Sequence, residues 1–267
     1  MELRSLPKIS EVSFIPLLAL KLSFFMSSNL DISYFTLNNY CTLEITGKRS
    51  LEFIQGQASG DISEKAQNKD VLFCDEKGFV ITNATVINSE TLEIIIKDDV
   101  AEILKRELEK YSKFYKCEVG IKEKIISGIY DGVGFTKTTA MPRASNNSNK
   151  NWDLLKLLHF DVDISNAMSL KNRPNEFGYN LEKYVSFTKG CYRGQEIIAR
   201  LKYLGSNKNT LAIFKDLTAD EKNELLKIGK EVFEIEIDNI LYGQYIFKNF
   251  EHPDKLFKSK LIASQSV

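Results

Sequence analysis

The sequence predicts an α+β fold built from more than one part, because strand-like and helical segments are mixed along the chain. With 267 residues and 30.5 kDa, the chain is long enough for a sizeable core and for more than one domain. The mixture of elements does not favour a doubly wound parallel sheet. A strand-rich stretch from about residue 207 onward predicts a small β unit at the end of the chain.

The first predicted strand begins at Tyr40, where apolar and polar residues alternate until Gly47 ends the pattern. A short helix is expected over residues 48–55, and Gly56 closes it. Further strands are expected at residues 71–74, 79–87 and 91–96, with polar turns at 75–78 and 88–90.

A longer helix is predicted to begin at Asp98 and Asp99 and to continue through Tyr111. The two carboxylates would supply an N-cap and negative charge in the first turn. Residues 117–129 then return to the alternation that is typical of strands. The apolar stripe of the helix has helical spacing and consists of Ile103, Leu104, Leu108 and Tyr111.

An Asn-rich segment, residues 144–151, is polar and is expected to be a loop or linker. A helix is predicted over residues 152–160, and Asp238–Asn239 is expected to be a two-residue hairpin turn. The strands of the C-terminal unit are expected at 210–214, 231–237 and 240–247. The predicted organisation is an N-terminal extension (1–25), an α+β body (26–206, with a sub-boundary at 144–151) and a short β unit (207–267).

The N-terminal extension contains an apolar run, residues 14–26, which is interrupted by Pro16 and Lys21 and is too short for an ordinary membrane span. It resembles the apolar part of a signal peptide, but no clear cleavage site follows. We therefore expect a peripheral segment packed on the body, or a true start at Met26. A cytoplasmic protein with no membrane partner is the expectation.

The charges balance, with 36 Lys+Arg against 36 Asp+Glu. This balance disfavours a basic nucleic-acid coat and an acidic disordered protein, so no direct nucleic-acid partner is expected. The four cysteines are too far apart for a CxxC metal or redox pair. Positive charge is carried mostly by Lys, and the only arginines are Arg4, Arg49, Arg106, Arg143, Arg173, Arg193 and Arg200.

Residues 186–205 carry the strongest chemical signal in the chain. Gly190 and Gly194 bracket Cys191, which keeps the backbone open around the thiol. Lys189 and Arg193 flank the thiol, and a helical face begins after Gly194. Helix N–H groups and two cations would together favour the thiolate, so Cys191 is predicted to be a reactive or ligating cysteine. A structural cysteine is the alternative.

Residues 189–196, K-G-C-Y-R-G-Q-E, resemble the K-G-C-Y-x-G-Q-E signature of the YgfZ family, which are relatives of the glycine-cleavage T-protein. Residues 53–57, followed by Asp61, resemble the family's F-L-Q-G-Q-x-T-x-D segment. Residues 74–78 resemble its C-D-x-K-G turn. The resemblance covers most of the chain from about residue 36 to 215, in the expected order.

The resemblance implies a T-protein-like multi-part fold around a central channel that binds tetrahydrofolate, with a small C-terminal β-barrel-like unit. It implies an accessory role in assembly or repair of iron–sulfur clusters in client enzymes, including enzymes that modify tRNA. Cys191 takes the position of the functional cysteine, and Tyr40 that of an aromatic residue in contact with folate. Gln55 and Gln57 are further candidates for folate contacts. The alternatives are a core tyrosine at Tyr40 and hydrogen bonding within the loop for each glutamine. The protein is expected to be a monomer.

An alternative is a folate-dependent one-carbon transferase that resembles the aminomethyltransferases. The catalytic Asp of the T-protein has no convincing counterpart around residues 86–89, which argues against aminomethyl transfer. In the favoured hypothesis, Cys191 transiently ligates iron or sulfide of a client cluster. Lys189 and Arg193 would lower the pKa of its thiol. Gln195 and Glu196, in the first helical turn, would orient the loop that carries Cys191. The other residues of the K-G-C-Y-R-G-Q-E signature are Gly190, Tyr192 and Gly194.

Overall fold

A computed structural model describes residues 32–64, 68–139, 149–203, 209–248 and 256–266. The chain divides into two compact units, one from Ser28 to Ser206 and one that contains Asn207–Val267. Two features of the sequence analysis lie outside the described residues: the apolar run at 14–26 and most of the Asn-rich segment. The same is true of Gly205, which the sequence predicts to end the helix that begins after Gly194.

The described residues contain twelve strands and seven α-helices. The strands are β1 (Ser33–Thr36), β2 (Tyr40–Thr46), β3 (Asn68–Cys74), β4 (Val80–Asn88), β5 (Leu92–Lys97), β6 (Glu118–Lys122), β7 (Ser127–Tyr130), β8 (Phe135–Thr138), β9 (Asn209–Lys215), β10 (Gly229–Ile237), β11 (Ile240–Lys248) and β12 (Leu261–Ser266). The helices are α1 (Ser50–Gln55), α2 (Ala101–Ser112), α3 (Asn149–Leu158), α4 (Pro174–Phe177), α5 (Leu181–Tyr184), α6 (Gln195–Tyr203) and α7 (Ala219–Ile228).

The first unit is centred on an antiparallel five-stranded sheet in the order β3-β4-β5-β2-β6. Successive residues of β5 face opposite sides of this sheet. Ile94 and Ile96 pack into one core with Leu104 and Leu108 of α2, whereas Ile95 packs into a second core on the other face. Burial of each such side chain contributes roughly 1.5–3 kcal/mol. The sheet is therefore held by a core on each of its faces.

The second core lies beneath a three-stranded sheet in the order β1-β7-β8. Trp152 of α3 is fully buried there and packs edge-on against Phe35 and Phe135. Gly128 of β7 allows this packing, because a Cβ at that position would lie 2.6 Å from the Trp152 ring. The short strands β1 and β8 were not predicted. Helix α3 begins at Asn149, so the last residues of the predicted linker are helical.

The predicted start of the long helix is wrong in detail. Asp98 and Asp99 form a 3₁₀ turn that ends at Val100, and α2 begins at Ala101 without a side-chain cap. The carboxylate of Asp99 instead accepts a hydrogen bond from the backbone N–H of Asn166. A tertiary contact has thus replaced the local cap. The predicted alternation over 117–129 is also interrupted between β6 and β7.

The C-terminal unit is an antiparallel four-stranded sheet in the order β10-β11-β9-β12. The hairpin turn at Asp238–Asn239 is confirmed, since both residues have positive φ, 52° and 61°. Helix α7 was not predicted, although its capping box was visible: Thr218 and Glu221 exchange backbone and side-chain hydrogen bonds. Among the described residues, β10 and β12 are the edge strands of this sheet. Closure of the sheet into a barrel-like unit stays a prediction.

The α+β class is confirmed by this arrangement of antiparallel sheets and packed helices. Within the described ranges, no helix combines the length and the apolar character needed to cross a lipid bilayer.

Candidate functional site

The loop that carries Cys191 lies just before α6, whose first residue is Gln195. Cys191 is exposed, whereas Cys41, Cys74 and Cys117 are buried. Burial raises the pKa of the Cys41 thiol to about 11 and also raises that of Cys74. All four cysteines of the chain are described, so Cys191 is the one thiol that a reagent or partner reaches directly.

Glycines bring the turn at residues 74–78 against the Cys191 loop. Gly194 has φ +82°, and a Cβ there would lie 2.6 Å from the carbonyl oxygen of Asp75. Gly78 has φ +76°, and a Cβ there would lie 2.7 Å from a methyl group of Ile197 in α6. Both positions need glycine for conformation and for space. Two segments that lie over a hundred residues apart in the sequence therefore form one surface.

Lys189 joins the Cys191 loop to the last residue of α1 and to the segment that follows it. Its Nζ donates hydrogen bonds to the carbonyl oxygens of Gln55, Ala58 and Gly60, at 2.7, 2.8 and 2.8 Å. Burial lowers the pKa of Lys189 to about 8, against the attraction of Asp61. Lys189 is thus bound to main-chain oxygens of another segment.

Arg193 joins the Cys191 loop to the 74–78 turn and to α2. Its Nε donates to Glu76 and its Nη2 donates to Glu107, each at 2.8 Å. Its backbone N–H donates to the carbonyl of Gly56 at 3.1 Å. Hydrogen bonds from Arg193 and then Tyr111 lower the pKa of Glu76 to about 2. The guanidinium fork therefore holds two carboxylates from different elements.

The two cations that flank the thiol in sequence thus form the frame of the loop. This role was missed by the sequence analysis, because nothing in the local spacing identifies Glu76, Glu107 or the three carbonyls as partners. The expectation that Lys189 and Arg193 lower the pKa of the Cys191 thiol stays a prediction.

The remaining signature residues have different surroundings. Gly190 is exposed, and a Cβ there would meet nothing within 4 Å. Tyr192 is buried, and its hydroxyl has no hydrogen-bond partner among the described residues. Gln195 and Glu196 lie in the first turn of α6, as predicted. The Glu196 carboxylate accepts a hydrogen bond from Arg200 at 2.6 Å in an exposed pair.

The three residues predicted to contact folate have different surroundings. Tyr40 is 5% exposed; its hydroxyl donates to Asp163 at 2.7 Å, and the residue lines a cavity of about 540 Å³. Gln55 is engaged locally, because its amide donates to Asp61 and its carbonyl accepts from the N–H of Ile62. The side-chain oxygen of buried Gln57 has no partner among the described residues. The cavity is lined by Leu37, Asn38, Tyr40, Cys41, Asp98, Ala101, Glu102, Ile121, Glu123, Lys124, Ile125 and Ile126.

A buried charge cluster around Asp163 was also missed. The Asp163 carboxylate accepts hydrogen bonds from Lys137 at 2.8 Å and from Lys156 at 3.1 Å. Tyr40, Trp152 and Asn83 donate to the same carboxylate. Although burial alone would raise it, the pKa of Asp163 is held well below its usual range by these two lysines. The cluster joins both sheets of the first unit to α3.

No group of three or more His, Cys, Asp or Glu side chains suited to a metal ion occurs within the described ranges.

The chain is similar in sequence to several known proteins. A protein named tRNA-modifying protein YgfZ from Yersinia pseudotuberculosis is 25% identical, over 69% of this chain and 71% of its own length. Its namesake from Shigella boydii is 23% identical, over 87% of this chain and 90% of its own length. The resemblance to the YgfZ family is confirmed.

Two further comparisons add to the YgfZ resemblance. An uncharacterized protein of Haemophilus influenzae is 25% identical, over 84% of this chain and 92% of its own length. The glycine cleavage system aminomethyltransferase T of Bartonella henselae superposes with a TM-score of 0.51 at 12% identity, covering 88% of this chain and 84% of that one. The last likeness shows the fold alone. No family model matches the sequence.

The segments that carry the YgfZ resemblance are the ones that meet around Cys191. Residues 53–57 provide main-chain oxygens for Lys189 and Arg193, and residues 74–78 provide Glu76 and the contact with Gly194. The three motifs therefore form one structural unit, although they are well separated in the sequence.

Proposed function

We propose that this chain is a tetrahydrofolate-binding accessory protein for assembly or repair of iron–sulfur clusters in client enzymes, and that it acts through Cys191. The clients would include enzymes that modify tRNA. The relatives named tRNA-modifying protein YgfZ support a role connected with tRNA modification. The superposition with an aminomethyltransferase T supports only the fold in which such a protein is built.

The observation that carries the proposal is the presentation of Cys191. It is exposed on a loop whose backbone is anchored by Lys189 and Arg193, while the other three thiols are buried. An anchored, exposed thiol can approach a cluster held by another protein. A buried thiol with a raised pKa cannot do so without unfolding of its surroundings.

The chemistry of the step is ligation. A thiolate is a soft ligand that suits iron in a cluster. One thiol cannot hold a four-cysteine cluster, so the client would supply the other ligands and Cys191 would act transiently. The cluster is the cargo of this reaction, and the role of this chain is to offer one ligand in a fixed position.

The cavity beside Tyr40 fits the proposed folate in size, since small-molecule pockets span roughly 300–1,000 Å³. Tyr40 offers an aromatic wall, and the carboxylates of Asp98, Glu102 and Glu123 offer acceptors for the amino and ring N–H groups of a pterin. Lys124 offers a cation for the anionic tail. When bound, the folate would supply a one-carbon carrier. Gln55 is not part of this proposal, because its side chain is already hydrogen-bonded in its own loop.

The proposal predicts that Cys191→Ser weakens iron–sulfur enzymes in a strain that depends on this chain, most strongly under oxidative stress. The protein should remain folded, because Cys191 is exposed. The measurements are the activity of an iron–sulfur dehydratase and the level of cluster-dependent modified nucleosides in tRNA. Cys117→Ala, which removes a buried thiol, is the matched control and should leave both near wild type if the protein accumulates. Unchanged enzyme activity in Cys191→Ser would reject the assignment.

Turnover distinguishes this proposal from the alternative of a one-carbon transferase. Purified protein with tetrahydrofolate and an aminomethyl donor should produce no methylene transfer. Robust turnover would contradict the accessory role.

A further inference from the structure

The surroundings of Lys189 are unusual for a surface-loop lysine. An ammonium group has three N–H donors, and three main-chain carbonyl oxygens lie 2.7–2.8 Å from the Nζ. Each of these hydrogen bonds is assisted by the charge of the donor. The full donor set of the ammonium is therefore used by one short segment, residues 55–60, and none is left to face Cys191.

The segment that carries these carbonyl oxygens is held in place by hydrogen bonds of Ser59. The backbone N–H of Ser59 donates to Leu72 of β3, and the Ser59 hydroxyl donates to the carbonyl of Tyr184. The backbone N–H of Ser186 donates to the carbonyl of Ser59. Residues 55–60 are thus fastened to the sheet and to the chain that enters the Cys191 loop. We call the three carbonyls of Gln55, Ala58 and Gly60 the carbonyl nest.

The Cys191 loop has two attachments on its two sides. Arg193 and Gly194 fix the side that leads into α6. The side that leads into Cys191 includes Gly190, which is exposed. A Cβ at Gly190 would have no neighbouring atom within 4 Å. Lys189 precedes this open residue. The side of the loop that leads into Cys191 is therefore attached to residues 55–60 through the Lys189 ammonium.

We propose that Lys189 is a positioning residue for Cys191, whose ammonium fastens the thiol loop to the carbonyl nest. The role of Lys189 is mechanical: it fixes where the thiol is presented. The inference deepens the proposed function and rests on it only in taking Cys191 as the working thiol.

The test is amide hydrogen exchange of the purified full chain at one pH, compared between wild type and Lys189→Ala. We expect amides of residues 56–62 and 189–195 to exchange at least about tenfold faster in the variant, because three charge-assisted hydrogen bonds are lost. Lys113→Ala, which removes an exposed lysine far from the loop in the sequence, is the control and should exchange as wild type does. Wild-type exchange rates in Lys189→Ala would overturn the proposal.

Rescue separates occupancy of the carbonyl nest from a general loss of stability. Methylammonium carries three N–H donors and should restore slow exchange to Lys189→Ala, whereas tetramethylammonium at equal ionic strength carries none and should not. Equal effects of the two cations would overturn the proposal. In Lys189→Met, the Met side chain fills the space of the Lys side chain but has no N–H donor. The loop amides of this variant should therefore exchange fast, and methylammonium should not slow them. If Lys189→Ala does not fold, slow exchange in Lys189→Met overturns the inference.

The same variants separate this inference from the proposed function. Fast amide exchange in Lys189→Ala, with rescue by methylammonium, supports the positioning role whatever the outcome for Cys191→Ser. If Cys191→Ser leaves iron–sulfur enzymes unaffected, only the proposed function is rejected. If Cys191→Ser is defective in cells, Lys189→Met should be defective as well. Full activity of Lys189→Met in that strain would overturn the positioning role.

Discussion

Lys189 and Arg193 each lie two residues from Cys191, and their side chains bind oxygens from other parts of the chain. Lys189 uses neutral carbonyl dipoles, whereas Arg193 uses the carboxylates of Glu76 and Glu107. The two attachments differ in their response to pH, because the carboxylates lose their charge in acid and the carbonyls have no charge to lose. Acid should therefore weaken the Arg193 side of the loop first.

Glu76→Gln is expected to reduce the acid sensitivity of the protein. The folded pKa of Glu76, about 2, lies below its ordinary value of 4.5. Its contribution to stability is thus present above the unfolded pKa and is lost as pH falls through the folded one. The urea midpoint, measured between pH 5 and the onset of acid unfolding, should fall less steeply in Glu76→Gln than in wild type. Glu90→Gln, in the turn between β4 and β5, should keep the wild-type slope, and a wild-type slope in Glu76→Gln would contradict the assignment.

At the scale of elements, the turn at residues 74–78 and the start of α6 are fitted to each other through two glycines of positive φ. The sequence predicted that Gly194 allows an unusual backbone and that a helix follows it, and both are confirmed. Gly190 was expected to adopt an unusual backbone conformation like Gly194. Of these two glycines, only Gly194 has a positive φ. Local sequence identifies glycines with freedom, but only the packed neighbour decides which of them needs it.

Gly194→Ala should separate the 74–78 turn from the Cys191 loop. A left-handed backbone costs an L-residue roughly 1–2 kcal/mol, and the new Cβ would also lie 2.6 Å from the Asp75 carbonyl. We expect a loss of about 2 kcal/mol or more in the free energy of unfolding, measured with urea. Gly190→Ala is the matched control in the same loop and should change that free energy by less than about 0.5 kcal/mol. Similar losses in both variants would show that the contact with Asp75 is unimportant.

At the scale of the whole molecule, the balanced charge of the sequence conceals an uneven distribution. Lys137, Lys156 and Asp163 are buried together where both sheets of the first unit meet α3. Strand alternation and helix period predicted most elements of this unit, because both patterns are local. The cluster was not predictable, since Lys137 lies 26 residues and Tyr40 123 residues from Asp163, and a buried lysine resembles an exposed one in sequence.

Asp163→Asn should destabilise the first unit far more than its small change in shape suggests. The substitution would leave two buried ammonium groups with less compensation, and breaking a buried ion pair costs about 3–5 kcal/mol. Thermal unfolding should show a large decrease in the melting temperature, whereas Glu109→Gln, on the exposed side of α2, should show almost none. A small decrease for Asp163→Asn would mean that the lysines are neutral in the folded protein.

The carbonyl nest has a consequence for how this site can diverge during evolution. Every residue, proline included, presents the same backbone carbonyl oxygen, so Lys189 makes these three hydrogen bonds without recognising the side chains of Gln55 or Ala58. The path of the chain is what matters. Substitutions that leave this path unchanged should be tolerated by the attachment. Gly60 is constrained by packing, because a Cβ there would lie 2.7 Å from Val71. Insertion or deletion of one residue within 55–60 would move the oxygens out of register and release the loop. Comparisons of distant homologues at this site should therefore weigh gaps more heavily than mismatches.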